Sequence, residues 1–173
     1  MSELSTIKDL LEEDIKDLYS AEKQLTKAIP KMAEGSNNPQ LSSAFEAHLK
    51  ETENQVARLE KVADILGTEP TGKKCKGMEG VIEEGREALD EDGDENVLDL
   101  GIIGVGSRVE HYEIAGYTTA VSLAKQLGQN DVVKLLNESL TEEQAADNKL
   151  RSIAQTIIKS APTHETKAKK ANA

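Results

Sequence analysis

Four long stretches of this 173-residue sequence carry an apolar side chain at almost every third or fourth position. That spacing matches the 3.6-residue turn of an α-helix and gathers the apolar side chains on one face. The first stretch runs through Leu11, Ile15, Leu18 and Leu25. Aromatic residues make up only 2% of the chain, whereas β-sheets are enriched in aromatic and β-branched residues. The pattern therefore predicts an all-α protein.

Breaks in this pattern divide the chain into helices. Glycine, proline and polar turns predict long helices at about residues 4–33, 39–66, 94–126 and 130–160, and a shorter one at about 76–90. Two of the joints are short, so they connect antiparallel neighbours, but about 27 residues separate the second and third long helices. A helix of about 15 residues spans roughly 22 Å, enough to carry the chain along a bundle. We predict an up-down-down-up four-helix bundle of the ferritin-like type over residues 1–162, followed by a flexible Lys/Ala tail at 163–173.

The charge and hydropathy of the chain exclude several classes of function. The net charge is −11 and the basic residues are scattered among acidic ones, so no nucleic-acid partner is expected. No apolar run approaches the roughly 20 residues that cross a bilayer, and no signal peptide is visible. We therefore expect no membrane association and a cytoplasmic location.

Cys75 is the only cysteine, which excludes an intrachain disulfide and a cysteine-based metal cluster. It lies in the basic segment 73–76, where neighbouring lysines can lower the pKa of a thiol. Without a partner cysteine, we expect an exposed thiol with no special role.

Each long helix has acidic or imidazole residues within its apolar face. These residues are Glu22 on the first helix, His48 and Glu51 on the second, Glu110 and Glu113 on the third, and Glu143 and Asp147 on the fourth. Glu22 and His48 lie equally far along the chain from the joint near residue 35. The acidic residues of the third long helix and those of the fourth lie at similar distances on either side of the joint near residue 129. In the predicted topology all of them lie near mid-height. We therefore predict one polar layer inside the bundle.

A buried layer of carboxylates is unstable as bare anions, because like charges repel and raise one another's pKa. Metal cations remove this cost, and carboxylates with one imidazole suit iron or manganese, with zinc as an alternative. We therefore predict a two-metal site. Its main ligands would be Glu22, Glu51, Glu110 and Glu143, and its completing or supporting residues would be His48, Glu113 and Asp147.

A metal-free interpretation of the same residues remains open. A single glutamate on a helix face is usually solvated, and a single histidine is usually hydrogen-bonded within the protein. The layer can also be satisfied internally, with help from Thr52, Gln55 and Arg58. The prediction of a metal site depends on the coincidence of height across four helices.

Five segments, in the same order, resemble the motifs of the YciE/YciF family. They are DLYSAEKQL at 17–25, HLKET at 48–52, RLE at 58–60, VEHYEIA at 109–115 and LTEE at 140–143. The likeness covers about residues 4–158. It implies a ferritin-like bacterial stress protein that forms a homodimer and holds a di-iron centre, without an established reaction.

The motifs depart from those of standard di-iron bundles, which carry Glu-x-x-His on two helices. Here the second helix has the reversed order His48-x-x-Glu51, and the third has Glu110-x-x-Glu113. His111 projects about 100° away from Glu110 around the helix axis. The smaller number of imidazoles leaves iron, manganese and zinc all open.

Two functional hypotheses follow from these features. The first is a metal-binding stress-response protein, whose substrate would be a metal ion or a small oxidant if it oxidises ferrous iron or consumes peroxide. The alternative is a non-catalytic structural or protective protein that self-associates or binds a partner. A hollow iron-storing shell is less favoured, because nothing in the sequence indicates a cage-forming interface.

Overall fold

The computed structural model describes residues 4–163, which form five α-helices and no strand. The helices are α1 (Ile7–Gly35), α2 (Pro39–Leu66), α3 (Lys76–Asp90), α4 (Glu95–Gln126) and α5 (Asn130–Ile157). Each begins and ends within three residues of a predicted helix, and α3 is the predicted crossover helix. Of the predicted tail, residues 164–173 lie outside the described residues.

Local sequence signals fix the helix ends. The Thr6 hydroxyl accepts a hydrogen bond from the Asp9 backbone N–H at 3.1 Å, and the Asp9 carboxylate accepts one from the Thr6 backbone N–H at 2.8 Å. Asn38 caps α2 directly before Pro39, which needs no N–H partner at the first helical position. Gly67 ends α2 with a φ of 70°, a left-handed conformation that suits glycine. These ends set the height of every side chain along the bundle.

A buried aspartate ties α4 to the turn between α1 and α2. The Asp99 carboxylate accepts hydrogen bonds from the backbone N–H groups of Asn37 and Asn38, both at 2.8 Å. The start of α4 therefore lies at the same end of the bundle as the end of α1. Helices α1 and α2 pack as neighbours, as do α4 and α5, while α3 packs against α1 and α4. The chain thus runs up, down, down and up, which confirms the predicted ferritin-like bundle.

The buried apolar side chains form two clusters that occupy opposite halves of the bundle. Members of the first include Leu25, Phe45, Ile102 and Leu150, and members of the second include Leu18, Leu59, Tyr117 and Leu136. Buried polar residues lie between these clusters along each long helix. No helix within residues 4–163 combines the length and the apolar character needed to cross a bilayer.

Candidate metal centre

Helices α2, α4 and α5 place ionisable side chains in the layer between the two apolar clusters. Four buried residues each offer one ligand atom within 4.8 Å of the others: His48, Glu110, Glu113 and Glu143. Glu22 of α1, which is 0% exposed, lies against Glu113. We call these five residues the carboxylate cluster. All four long helices of the bundle contribute to it.

Helical spacing explains why these residues meet. Glu110 and Glu113 are three residues apart on α4, so their side chains share one face, and Tyr117 continues that face one turn later. His48 follows the core residue Phe45 by one turn of α2. The inward faces that build the core therefore also carry the acids and the imidazole.

Most polar atoms of the carboxylate cluster have no hydrogen-bond partner among the described residues. They include both oxygens of Glu113, one oxygen each of Glu22, Glu110 and Glu143, and Nε2 of His48. Buried polar groups are normally paired, and leaving a charged one unpaired costs several kcal/mol. The side chains around the cluster therefore do not satisfy it.

The metal-free interpretation requires hydrogen bonds within the protein that satisfy the polar layer, and only some of them are present. Gln55 donates to one oxygen of Glu143 and, at 3.0 Å, to Glu142, and Arg58 makes two hydrogen bonds of 2.8 Å to Glu142. However, the Thr52 hydroxyl and the Gln55 carbonyl oxygen are themselves buried without hydrogen-bond partners in the described structure. The network orients Glu143 but leaves its second oxygen without a partner.

Burial controls the protonation of the carboxylate cluster. It is the largest cause that raises the pKa of Glu22, Glu110 and Glu113 well above the ordinary range, and nearby carboxylates raise it further. Burial also raises the pKa of Glu143, although the charge of His48 opposes this shift. A bound cation would favour the ionised forms, so metal binding is expected to release protons.

His48 connects the interior of the cluster to its edge. Its Nδ1 lies 3.2 Å from Glu51, and its Nε2 lies 3.4 Å from Glu110 and 3.7 Å from Glu143. Burial lowers the pKa of His48, but the hydrogen bond with Glu51 and the neighbouring carboxylates outweigh this effect and raise it overall. A carboxylate on one ring nitrogen, with the other nitrogen facing inward, is the arrangement of many metal-ligating histidines.

Two predicted ligands lie apart from the carboxylate cluster. The Glu51 side chain is 43% exposed and contacts the outer nitrogen of His48. Asp147 is buried, accepts hydrogen bonds from Arg151 and lies 3.5 Å from His111. Although burial raises the pKa of Asp147, the bonds from Arg151 outweigh burial and lower it overall. Of the seven predicted residues, five lie in the carboxylate cluster.

Tyr117 is a residue of the site that the sequence analysis missed. It is fully buried, and its hydroxyl donates a 2.5 Å hydrogen bond to Glu22. Burial raises its pKa well above the ordinary range, so it remains a donor. Its spacing of four residues after Glu113 is the sequence signal that places it on the inward face.

The expected exposure of Cys75 is wrong. Its side chain is 0% exposed, its sulfur accepts a hydrogen bond from the Met78 backbone N–H at 3.4 Å, and it lies 3.0 Å from the Tyr112 hydroxyl. Burial raises the pKa of the thiol. Cys75 caps α3 and faces the protein interior, despite the lysines beside it in the sequence.

Two cavities connect the surface with the carboxylate cluster. One, of about 770 Å³, lies between α2 and α5 and is lined by Glu51 and Lys149 among others. The other, of about 460 Å³, lies between α1, α3 and α4. Both reach His48 and Glu110. The buried His/Glu group can therefore receive and hold a metal ion, and its oxygens and imidazole suit iron, manganese or zinc.

Comparison with known proteins gives a consistent relationship along most of the chain. A family described as a domain of unknown function (DUF892) matches residues 6–162. Protein YciF of Escherichia coli strain K12 is 43% identical over 152 residues, which cover 87% of this chain and 92% of that protein. The crystal structure of the E. coli stress protein YciF matches with a TM-score of 0.88 and 42% identity, over 91% of this chain and 99% of that one.

Two further solved structures share the fold. YcfI of Rhodopseudomonas palustris, named as a candidate structural protein, matches with a TM-score of 0.84 and 43% identity, over 87% of this chain and 96% of that one. A protein of Xanthomonas campestris pv. campestris matches with a TM-score of 0.71 at 22% identity, over 90% of this chain and 95% of that one. The resemblance seen in the sequence motifs is confirmed, and the chain belongs to the DUF892 family, together with YciF.

Proposed function

We propose that this protein is a stress-response metalloprotein that holds two iron or manganese ions in the carboxylate cluster, with zinc as an alternative metal. The observation that carries the proposal is the set of buried carboxylate oxygens of α1, α4 and α5, together with the His48 Nε2 of α2, that have no hydrogen-bond partners among the described residues. The four glutamates of the cluster would carry four negative charges when ionised, which two divalent cations would balance. With a single divalent ion, two of the four glutamates would have to stay protonated to keep the bundle core neutral.

The residues around the cluster have distinct roles in this proposal. Glu110 and Glu113 would hold the ions from α4 and His48 would hold them from α2, with Glu22 and Glu143 completing the set. Tyr117, which holds Glu22, and Gln55, which holds Glu143, would keep these ligands in position before metal binds. Glu51 and Asp147 would act at the edge of the site.

Bound iron or manganese would supply one-electron chemistry, with which the protein would consume a small oxidant such as peroxide or oxidise ferrous iron. The chain itself would orient the ligands and hold them between the two apolar clusters, and the carboxylates would release protons when the ions bind. The description of the E. coli relative as a stress protein supports a role in the stress response. A homodimeric state and a cytoplasmic location belong to the same proposal.

The proposed metal binding can be tested by measuring how many ions the chain retains. The metal-free chain, loaded anaerobically with Fe²⁺ or with Mn²⁺ and dialysed, is expected to retain two ions per chain by elemental analysis. Glu110→Gln, which removes one ligand charge without changing shape, is expected to lose at least one of them. The matched control Glu53→Gln changes an exposed glutamate of α2 and is expected to retain both. A wild-type chain that retains neither metal would refute the proposal.

A non-catalytic structural role is the second candidate, and the name of the R. palustris relative favours it. Peroxide consumption separates the two candidates. The iron-loaded chain is expected to consume hydrogen peroxide faster than the Glu110→Gln variant at equal iron concentration. Equal rates, together with full metal content in both proteins, would favour a metal-stabilised structural protein.

A further inference from the structure

The cavity between α1, α3 and α4 has the dimensions of a small-molecule site. Its volume of about 460 Å³ lies within the range of known ligand pockets. Its walls are largely apolar and include Ile29, Met32, Val105 and Val109. The buried residues His48 and Glu110 form its inner end. The cavity therefore offers an apolar surface that ends at the carboxylate cluster.

The opening of this cavity carries uncompensated positive charge. Lys27 and Lys31 are exposed, lie one turn apart on α1, and line the cavity. Within residues 4–163 neither lysine has a carboxylate at ion-pair distance. The other basic residues at the opening, Lys74 and Arg86, each pair with a glutamate of α3. Two unpaired cations thus face an apolar cavity in a chain of net charge −11.

We propose that this cavity binds a small organic acid with an apolar body, such as an aromatic or aliphatic carboxylate or sulfonate. The acidic group pairs with Lys27 and Lys31, and the apolar body lies against Met32 and Val105. The inner end of the ligand then lies beside His48. Binding of the acid needs no metal, so this inference goes beyond the proposed function and does not depend on it.

The second cavity is a poorer match for such a ligand. Its walls are also largely apolar, so the two cavities differ mainly in charge: the lining of the second includes one lysine, Lys149, together with the Glu51 carboxylate. The Glu51 carboxylate lies on its path to His48 and would repel an organic anion. The two cavities thus differ in charge, and the cavity between α1, α3 and α4 suits an organic acid better.

Binding is testable with 1-anilinonaphthalene-8-sulfonate, a fluorescent probe that combines an apolar ring system with an acidic group. Titration of the metal-free, full-length chain is expected to give saturable binding of one probe per chain. Ala28→Phe places an aromatic ring in the cavity and is expected to weaken binding at least about tenfold. The matched control Ala146→Phe makes the same change at a half-buried alanine of the other cavity and is expected to leave binding unchanged.

The charge at the opening is tested separately, which keeps the inference falsifiable if Ala28→Phe fails to fold. The double variant Lys27→Gln, Lys31→Gln is expected to weaken probe binding at least about threefold, and more at low salt. Its control, Lys23→Gln with Lys50→Gln, removes two exposed charges that do not line the cavity. Absence of saturable binding to the wild type, or an equal loss in both double variants, would overturn the proposal.

These outcomes are independent of the metal test. A chain that binds the probe but retains no metal would refute only the proposed metal function. A chain that retains two ions but does not bind the probe would refute only the organic-acid site.

Discussion

Replacing Glu113 by glutamine is expected to stabilise the metal-free protein at neutral pH. Both oxygens of Glu113 are buried without hydrogen-bond partners among the described residues, and burial raises its pKa well above the ordinary range. The folded state therefore keeps the Glu113 proton at pH values where the unfolded chain has released it. Because the pKa is higher in the folded state, the free energy of unfolding falls as pH rises above the unfolded value of about 4.3. Glutamine keeps the shape of the side chain but cannot ionise.

The expected size of this effect follows from proton linkage. Each carboxyl group that stays protonated only in the folded state lowers stability by about 1.4 kcal/mol per pH unit, so Glu113 accounts for at most about 3 kcal/mol between pH 5 and pH 7. In a chain of 173 residues, 1 kcal/mol corresponds to roughly 2–4 °C in Tm. Scanning calorimetry with a chelator present is expected to show that the Tm of Glu113→Gln falls less than that of the wild type over this range, by up to roughly 6–12 °C.

Bound metal is expected to narrow this difference. Mn²⁺ at about 100 times its Kd would add about 2.7 kcal/mol to the stability of the wild type. The variant, which lacks one ligand charge, would gain less. The exposed-site control Glu53→Gln should follow the wild type in both conditions. A metal-free Glu113→Gln protein that loses as much Tm as the wild type between pH 5 and pH 7 would refute the assignment of this cost to Glu113.

Three further substitutions test other parts of the structure. Tyr117→Phe removes the donor to Glu22 and is expected to weaken Mn²⁺ binding by about 10- to 100-fold in a calorimetric titration. Asp99→Ala leaves two backbone N–H groups of the α1–α2 turn without an acceptor and is expected to lower the free energy of unfolding by about 3–5 kcal/mol in urea. Arg58→Gln breaks a pair of hydrogen bonds to the half-buried Glu142 and is expected to cost about 1–2 kcal/mol in the same assay.

The helices and their heights were predictable because local signals determine them. The glycine and proline breaks, together with the 3.6-residue period, place every described helix, and the long second connection predicts the crossover. The depth of Glu22, His48 and Glu110 then follows from counting residues away from the joints. These quantities need no knowledge of how the helices are rotated.

Helix rotation and side-chain partners were harder to infer from the sequence. On α2 the inward face is occupied by His48, Thr52 and Gln55, all of which are buried. Consecutive residues of a helix point about 100° apart, so Glu51, which directly precedes Thr52, points toward the edge of the site. The role of Tyr117 depends on Glu22, which lies on another helix 95 positions earlier. Periodicity identifies which face of one helix is buried, but it does not identify which residues of another helix meet it.

The position of the carboxylate cluster between two apolar clusters bears on how metal binding and folding are related. Each half of the bundle has its own buried apolar contacts, such as those around Leu18 in one half and Leu25 in the other. The unfavourable carboxylates occupy only the layer between them, where protonation reduces their repulsion when metal is absent. The apolar clusters can therefore hold the helices together without metal, so the ligands are already near one another when an ion arrives. In a bundle built this way, cation binding would add stability to a protein that is already folded, in contrast to small metal-dependent domains that unfold without their ion.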